Sequence, residues 1–389
     1  MRMRIGIVCY PTFGGSGVLA TELGKALADQ GHEVHFITYK QPARLLDSFH
    51  ERIFYHEVNV SNYPLFDYPP YESALAGRLV DVVQNEKLDL LHLHYAIPHA
   101  AAAYMAKQIL KEKGITIPYI TTLHGTDITL VGKDETFKPL VAFSIEQSDA
   151  ITTVSEDLKR ETILFFGIKK AIDVIHNFVD LKRFRKHNKE HFRKAIASEN
   201  EKIVIHTSNF RKVKRVEDVI HIFNKIHSQI PAKLLLIGDG PERHNVELLC
   251  RNLGILDHVK FLGKQDALEE ILTIGDLFLL PSETESFGLS ALEAMACNVP
   301  VISTNAGGLP EVNIHSQTGY MAEVGDVEAM GQFGIDILSN PTLHQQMREN
   351  ALAQAKTFDI KYILPKYTAL YERVLLQNGK GDCFKSCAS

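Results

Sequence analysis

Short apolar runs that alternate with helix-forming segments constrain this chain more than any other feature. The runs at residues 5–10, 34–38, 53–58, 88–93, 119–123, 151–154 and 172–175 are too short for helices and rich in Ile, Val, Leu and Tyr, the pattern of buried strands. Helical segments, the first at 18–30, separate most of them. Strands alternating with helices build a parallel sheet, because a parallel neighbour requires a crossover. The alternation restarts with strands at 203–206, 234–237, 259–262 and 277–280 and helices at 216–229, 242–253, 267–274 and 289–296. Between the two series lies a charged stretch, 179–200, which reads as a solvated linker. The fold class is therefore α/β, with two doubly wound halves, and 389 residues suit two cores better than one.

Composition removes several function classes. A net charge of −5 gives no global reason to expect nucleic acid or an acidic membrane as partner. No run approaches the roughly 20 apolar residues of a membrane span. The opening Met1-Arg2-Met3-Arg4 leads through a short apolar run into Pro11-Thr12-Phe13-Gly14 and does not read as a signal peptide, so a cytoplasmic protein is expected. Of five cysteines, Cys9, Cys250 and Cys297 stand in apolar surroundings and read as buried thiols. Cys383 and Cys387 lie in a tail, 379–389, that reads as flexible. Their Cys-x3-Cys spacing lacks a second pair or neighbouring histidines, so neither a metal nor another cofactor is expected.

In open parallel sheets ligands bind beyond the carboxyl ends of the strands, and polar residues cluster there: His94-Tyr95, His124-Gly125-Thr126-Asp127, Ser155 and His176-Asn177. After the first strand, Gly14-Gly15-Ser16-Gly17 lacks the G-x-G-x-x-G spacing of a nicotinamide site. It still places bare backbone at a helix N-terminus, where Gly15 and Ser16 would approach a diphosphate or an acceptor anion. A tight turn needing positive φ would read the same way. Histidine at a strand end also satisfies buried backbone, the reading taken for His92. No His-Glu-x-x-His or Cys/His spacing supports zinc.

The densest stretch is 281–308, PSETESFGLSALEAMACNVPVISTNAGG. Along a helix, Glu285 and Glu293 would stand about 12 Å and roughly 80° apart, a span suited to the two ends of a nucleotide sugar. Gly288 lets a ligand approach the backbone, and amides from Phe287 to Leu289, where the helix begins, offer donors to a diphosphate. Glu285 would then hold sugar hydroxyls and Glu293 ribose hydroxyls. Two ordinary carboxylates drawn to a helix N-terminus would leave the same trace.

Taken together, Glu285-Ser286-Phe287-Gly288, Glu293-Ala294-Met295-Ala296, Val299-Pro300-Val301-Ile302 and Gly307-Gly308-Leu309-Pro310-Glu311 resemble the retaining glycosyltransferases of family GT4. The resemblance implies a GT-B fold, two Rossmann-like domains facing across a cleft. It implies an acceptor-side domain at 1–180, a nucleotide-sugar domain at 181–358, and a terminal helix at 359–378 crossing back to the first. It further implies that the Glu-x7-Glu pair binds the donor and that His124 touches the donor sugar. Arg211 and Lys214 would lie against the donor diphosphate, with Lys212 and Arg215 as substitutes, and Gly238 and Gly263 near the nucleotide. Two fixed cations would offset charge growing on departing UDP, the task a metal performs elsewhere, so no metal requirement is expected.

Longer strings narrow the resemblance, among them Cys9-Tyr10-Pro11-Thr12, His94-Tyr95-Ala96-Ile97-Pro98-His99-Ala100, Thr121-Thr122-Leu123-His124-Gly125-Thr126-Asp127 and Asn177-Phe178-Val179-Asp180. They are most similar to family members that join N-acetylglucosamine from UDP-GlcNAc to L-malate, the first step of bacillithiol formation. For malate the candidate contacts are Ser16, Tyr95, Thr122 and Asn177, with Arg243 as the cation. A homodimer is the family expectation. The loop Lys40-Gln41-Pro42-Ala43-Arg44 and the cysteine tail depart from the family pattern. The rival readings are a GT4 enzyme with another acceptor, a GT-B-like epimerase using the same donor, and a non-catalytic sensor that binds the donor without releasing UDP.

Overall fold

In the computed structural model the described residues are 2–12, 14–45, 49–60, 70–126, 128 and 134–380. The readings of Asp127 and of Cys383 and Cys387 fall outside them.

The chain divides into two units, Met1–His176 with Lys361–Ser389, and Asn177–Ile360. The first holds β1 (Arg4–Val8), β2 (Glu33–Thr38), β3 (Ile53–Glu57), β4 (Leu90–His94), β5 (Tyr119–Leu123), β6 (Ala150–Thr153) and β7 (Ile172–Val174). They form one sheet in the order β3-β2-β1-β4-β5-β6-β7, and every pairing is parallel. Strands β4 and β5 are buried along their whole length, as strands covered on both faces of a parallel sheet are, so β4 carries two histidines and β5 two threonines into the interior.

The second unit holds β8 (Lys202–Thr207), β9 (Ala232–Ile237), β10 (Val259–Gly263), β11 (Leu277–Leu280), β12 (Val301–Thr304) and β13 (Gly319–Ala322). Its order is β10-β9-β8-β11-β12-β13, again all parallel. Counted from its own first strand this is the 3-2-1-4-5-6 arrangement of a doubly wound dinucleotide-binding sheet. The strand order reverses between β1 and β4 in one unit and between β8 and β11 in the other. At those switch points the loops on either side diverge and leave a crevice.

The helix Ile360–Gln377 starts at the end of the second unit, and from Lys361 on it packs as part of the first. Its buried residues, Ile363, Leu364, Tyr367, Leu370, Tyr371, Val374 and Leu375, recur at three- and four-residue intervals and form one stripe. Pro365 lies inside it and costs roughly 3 kcal/mol. Burying seven large side chains at about 1.5–3 kcal/mol each outweighs that cost.

One expectation is corrected. The charged stretch 179–200 is not a solvated linker but a belt tied to the second unit. Arg183 donates to the Asp266 carbonyl at 2.7 Å, Lys186 to the Thr273 carbonyl at 2.5 Å, and Arg193 to the Ile274 carbonyl at 2.7 Å and to Asp276 at 2.8 Å. Its helix, Glu190–Ile196, carries the last of these arginines. Arg183, Lys186, Lys189 and Arg193 cap carbonyls or pair with carboxylates of the same unit, while Lys182, Arg185 and Lys194 stay exposed.

Candidate active site

Both switch points carry the residues singled out from the sequence. In the second unit the loop after β8 is anchored by Phe210, fully buried despite a φ of 38°. Below it, buried His206 bridges two strands: its Nδ1 donates to the Leu279 carbonyl at 2.9 Å, and its Nε2 meets Ser208 Oγ at 2.8 Å. Burial holds the His206 imidazole down to a pKa of about 4, so it is neutral at pH 7. This fixed base carries a short 3-10 turn, Lys212–Lys214, which points Lys214 at Glu285. The two side chains are ion-paired and largely shielded, with 21% and 14% of their side-chain surface exposed.

Glu285 is held by its backbone as well. Its carbonyl accepts from Gly308 N at 2.8 Å, and Ser282 Oγ donates to its carboxylate at 3.3 Å. Glu283 N donates to the Val213 carbonyl at 2.8 Å, joining the β11 loop to the basic loop. Thr304 Oγ1 donates to the Ser282 carbonyl at 2.6 Å, joining it to β12. Three loops thus lock one cation and one carboxylate at the switch point.

The helical spacing predicted for Glu285 and Glu293 does not hold. The helix runs Leu289–Ala296 behind Gly288, whose φ of 93° breaks the regular backbone, so Glu285 stands in the loop and only Glu293 on the helix. Glu293 is largely buried, 7% exposed. The first turn of this helix has no side-chain cap and no acidic residue, leaving its amides for an anion. The Phe287 side chain is turned inward, edge-on to Phe358 at 5.5 Å, so the ring is committed to packing.

The other predicted positions of this unit divide. Arg211 is exposed and makes no ion pair among the described residues, whereas Arg215 is bonded to Asp218 at 2.6 Å. Gly263, with φ of 65°, faces open space; Gly238 does not, because a Cβ there would lie 1.8 Å from the Ser208 carbonyl oxygen. Gly238 is therefore glycine to let the β8 loop pass. Arg243 is held by Glu247 at 3.0 Å and lies near Asp239 at 3.8 Å. Asn177 is buried at the start of this unit, 8% exposed.

In the first unit, Gly15 caps the helix Ser16–Asp29 with φ of 59°, and a Cβ at Gly14 or Gly15 would meet nothing within 4 Å. Gly17 is different, since a Cβ there would sit 2.4 Å from the Tyr10 carbonyl oxygen. Packing explains Gly17 and makes no such demand at Gly14 and Gly15. Ser16 Oγ meets Tyr95 OH at 2.6 Å across the switch point. Tyr95, at φ of 90°, follows β4 directly.

Behind these lies a histidine cluster larger than the sequence suggested. His94 Nδ1 meets His124 Nε2 at 2.8 Å, His92 Nε2 meets Thr122 Oγ1 at 2.7 Å, and Tyr371 OH from the terminal helix meets His92 Nδ1 at 2.8 Å. His99 Nδ1 donates to the His94 carbonyl. Thr122 is a further correction: it is fully buried and bonded to His92 and to Thr152 at 2.6 Å, so its hydroxyl has no surface to offer an acceptor. Ser155 caps the helix Glu156–Phe166 through Leu158 N at 3.1 Å, a structural role. Gly307, Gly308, His206 and His99 were not singled out as site residues from the sequence.

Burial presses His92 and His124 down to about 3 and His99 to about 4, and His94 well below its ordinary value. These groups stay neutral as the pH falls through 6.5, while the same residues in the unfolded chain take up protons. The unfolded state then binds more protons, so stability falls with falling pH until the folded-state values near 4 to 3 are reached. Each such imidazole contributes a slope of up to roughly 1.4 kcal/mol per pH unit. Thermal unfolding followed by circular dichroism should therefore show a midpoint that is flat above pH 7 and drops steeply from pH 6.5 to 4.5. A flat midpoint across that interval would contradict a neutral, buried cluster.

Among the described residues, no group of three or more His, Cys, Asp or Glu side chains could hold a metal ion, and no helix is long and apolar enough to cross a membrane.

Residues 13–183 match the model described as Glycosyltransferase Family 4, and residues 187–354 that of Glycosyl transferases group 1. The chain is 49% identical over 383 residues to the N-acetyl-alpha-D-glucosaminyl L-malate synthase of Bacillus anthracis, covering 98% of this chain and 100% of that one. Among solved structures it is similar to a sucrose-phosphate synthase from Thermosynechococcus elongatus, with TM-score 0.81, 21% identity and coverage of 97% and 100%. It is also similar to Anabaena HepE in complex with UDP and glucose, with TM-score 0.79, 20% identity and coverage of 95% and 99%.

Proposed function

The chain belongs to glycosyltransferase family 4, and from that premise we propose that it transfers N-acetylglucosamine from UDP-GlcNAc to the hydroxyl of L-malate. UDP is released, and the α configuration of the donor is kept. The observation that carries this reading is near-half identity along nearly the whole chain to a relative named for that product. The locked Lys214–Glu285 pair at a switch point supports it.

In this reading Lys214 and Arg211 face the donor diphosphate, and the uncapped amides behind Gly288 share that charge. Glu285 accepts from sugar hydroxyls and Glu293 from the ribose. Until the donor arrives, Glu285 and Lys214 serve as each other's counterion. Backbone at Gly263 lies beside the nucleotide. Gly15, Ser16 and Tyr95 form the polar face for malate, and His124 holds the sugar. The bond from C1 to the phosphate oxygen breaks as the malate oxygen bonds C1 from the same face, and the malate proton passes to the departing phosphate. No enzyme nucleophile takes part, and two cations replace a metal. The same family reading carries a cytoplasmic homodimer.

The test is UDP release from UDP-GlcNAc in the presence of chelator, with and without L-malate. Release that rises with malate supports the reading. Malate-independent release, or none, overturns it in favour of another acceptor, epimerisation or a sensor.

A further inference from the structure

His94 and His124 share a single hydrogen bond between ring nitrogens, His94 Nδ1 and His124 Nε2, 2.8 Å apart, with ring planes within 20° of each other. One proton must lie between them, and which ring owns it decides what His124 offers to a ligand. The surroundings of His94 settle the question. His94 is 2% exposed, and its other nitrogen, Nε2, is buried with no hydrogen-bond partner among the described residues.

Two arrangements are possible for neutral rings. If His124 donated, His94 would carry its proton on Nε2, leaving a buried N–H with no acceptor. Unpaired buried N–H groups are the rarest defect in folded proteins, and acceptors left unfilled are tolerated better. If His94 donates from Nδ1, its Nε2 is a bare acceptor and no donor is orphaned. The neighbouring imidazoles supply nothing that changes this. His99 has its Nδ1 proton on the His94 carbonyl, and His92 is bonded at both nitrogens, to Tyr371 and Thr122. Burial also keeps both rings uncharged, so the doubly protonated alternative does not compete.

We propose that His94 is a positioning residue that fixes His124 in its Nδ1-protonated tautomer, so that His124 presents a neutral N–H donor to an oxygen of the donor sugar. The tautomer follows from the geometry of the first unit alone, and its use rests on the reading that His124 touches the sugar. An imidazole so fixed gives a directed hydrogen bond without placing a cation beside the sugar carbon that becomes electron-poor in the transition state. The same geometry gives His94 a purpose that strand packing does not require, since an apolar side chain would fill the place without orphaning a nitrogen.

The test reads ring nitrogens directly. Two-bond proton–nitrogen correlation spectra of 15N-histidine-labelled protein distinguish a protonated from a bare ring nitrogen, and the His124 signals are assigned by their loss in His124→Gln. The expected wild-type result is a protonated Nδ1 and a bare Nε2 on His124. Protonation at Nε2 overturns the proposal. His94→Leu should free the tautomer and lower kcat roughly 10²-fold, the scale of one lost transition-state hydrogen bond, with a smaller change in KM for UDP-GlcNAc. His94→Asn, whose amide donates from about the position of Nδ1, should restore the Nδ1 tautomer and bring kcat within about tenfold of wild type. Equal losses in the Leu and Asn variants would overturn the positioning role. The wild-type spectrum needs neither substrate nor variant. A protonated Nδ1 in a protein that ignores malate therefore leaves the tautomer assignment standing and overturns only the acceptor.

Discussion

Replacing Lys214 by alanine should lower kcat for malate-dependent UDP release by about 10²–10³-fold, the usual loss when one preorganised group facing developing charge is removed. Lys214 is the cation this structure aims: a turn anchored by buried Phe210 and His206 carries it to Glu285. Its neighbours in sequence serve as controls. Arg215 is bonded to Asp218, so Arg215→Ala should leave kcat within a few-fold of wild type. Arg215→Ala, at a side chain one-third exposed, should move the thermal midpoint little, whereas Lys214→Ala leaves the shielded Glu285 carboxylate without its counterion and should lower it. Steady-state UDP release on both proteins, alongside circular dichroism, decides the matter. Comparable losses at Lys214 and Arg215 would mean that the cluster acts through net charge and not through one directed ammonium.

The second large effect is expected at Gly307, where alanine should both destabilise the protein and disable catalysis. Gly307 has a φ of 60°, and its Cβ would sit 2.1 Å from the Glu285 carbonyl oxygen, a backbone atom that cannot swing aside. Left-handed backbone costs a residue with a side chain roughly 1–2 kcal/mol, and forced overpacking adds roughly 1–3 kcal/mol. The sum of about 2–5 kcal/mol is relieved only by moving the loop that holds Glu285, and a displacement near 1 Å can cost on the order of 10² in rate. Gly15→Ala provides the contrast. Its φ is nearly the same, but the space is open, so only the backbone cost of roughly 1–2 kcal/mol applies. Denaturant midpoints and kcat on the two variants test this. A Gly307→Ala protein as stable as Gly15→Ala, with kcat intact, would show that the β12 loop does not fix Glu285.

Much of this was legible in the sequence because burial writes itself into composition. A strand such as β11 is buried along its length, and its short apolar run marks it directly. The strands at Val301–Thr304 and Gly319–Ala322 were harder to see. They are four residues long, and the second opens on a glycine needed because a Cβ would lie 1.8 Å from the Val301 carbonyl oxygen. A residue chosen for close approach carries no strand propensity. The donor-side residues Glu285, Lys214 and Gly288 were legible because loop chemistry is local. What ties them together was not, since Gly307 meets Glu285 and His206 meets Leu279 only once the sheet is assembled. Thr122 was misread for the same reason: its place at a strand end suggested a ligand contact, while its hydroxyl turns inward to His92 and Thr152. The stretch 179–200 was misread because charged side chains that cap carbonyls look in sequence like charged side chains in water.

The most direct test of the central claim is the proton NMR spectrum and mass of the product formed from UDP-GlcNAc and L-malate. The account predicts a single GlcNAc–malate conjugate whose anomeric proton shows the small axial–equatorial coupling of an α-glycoside. A large diaxial coupling would contradict retention, and a product without malate would contradict the acceptor.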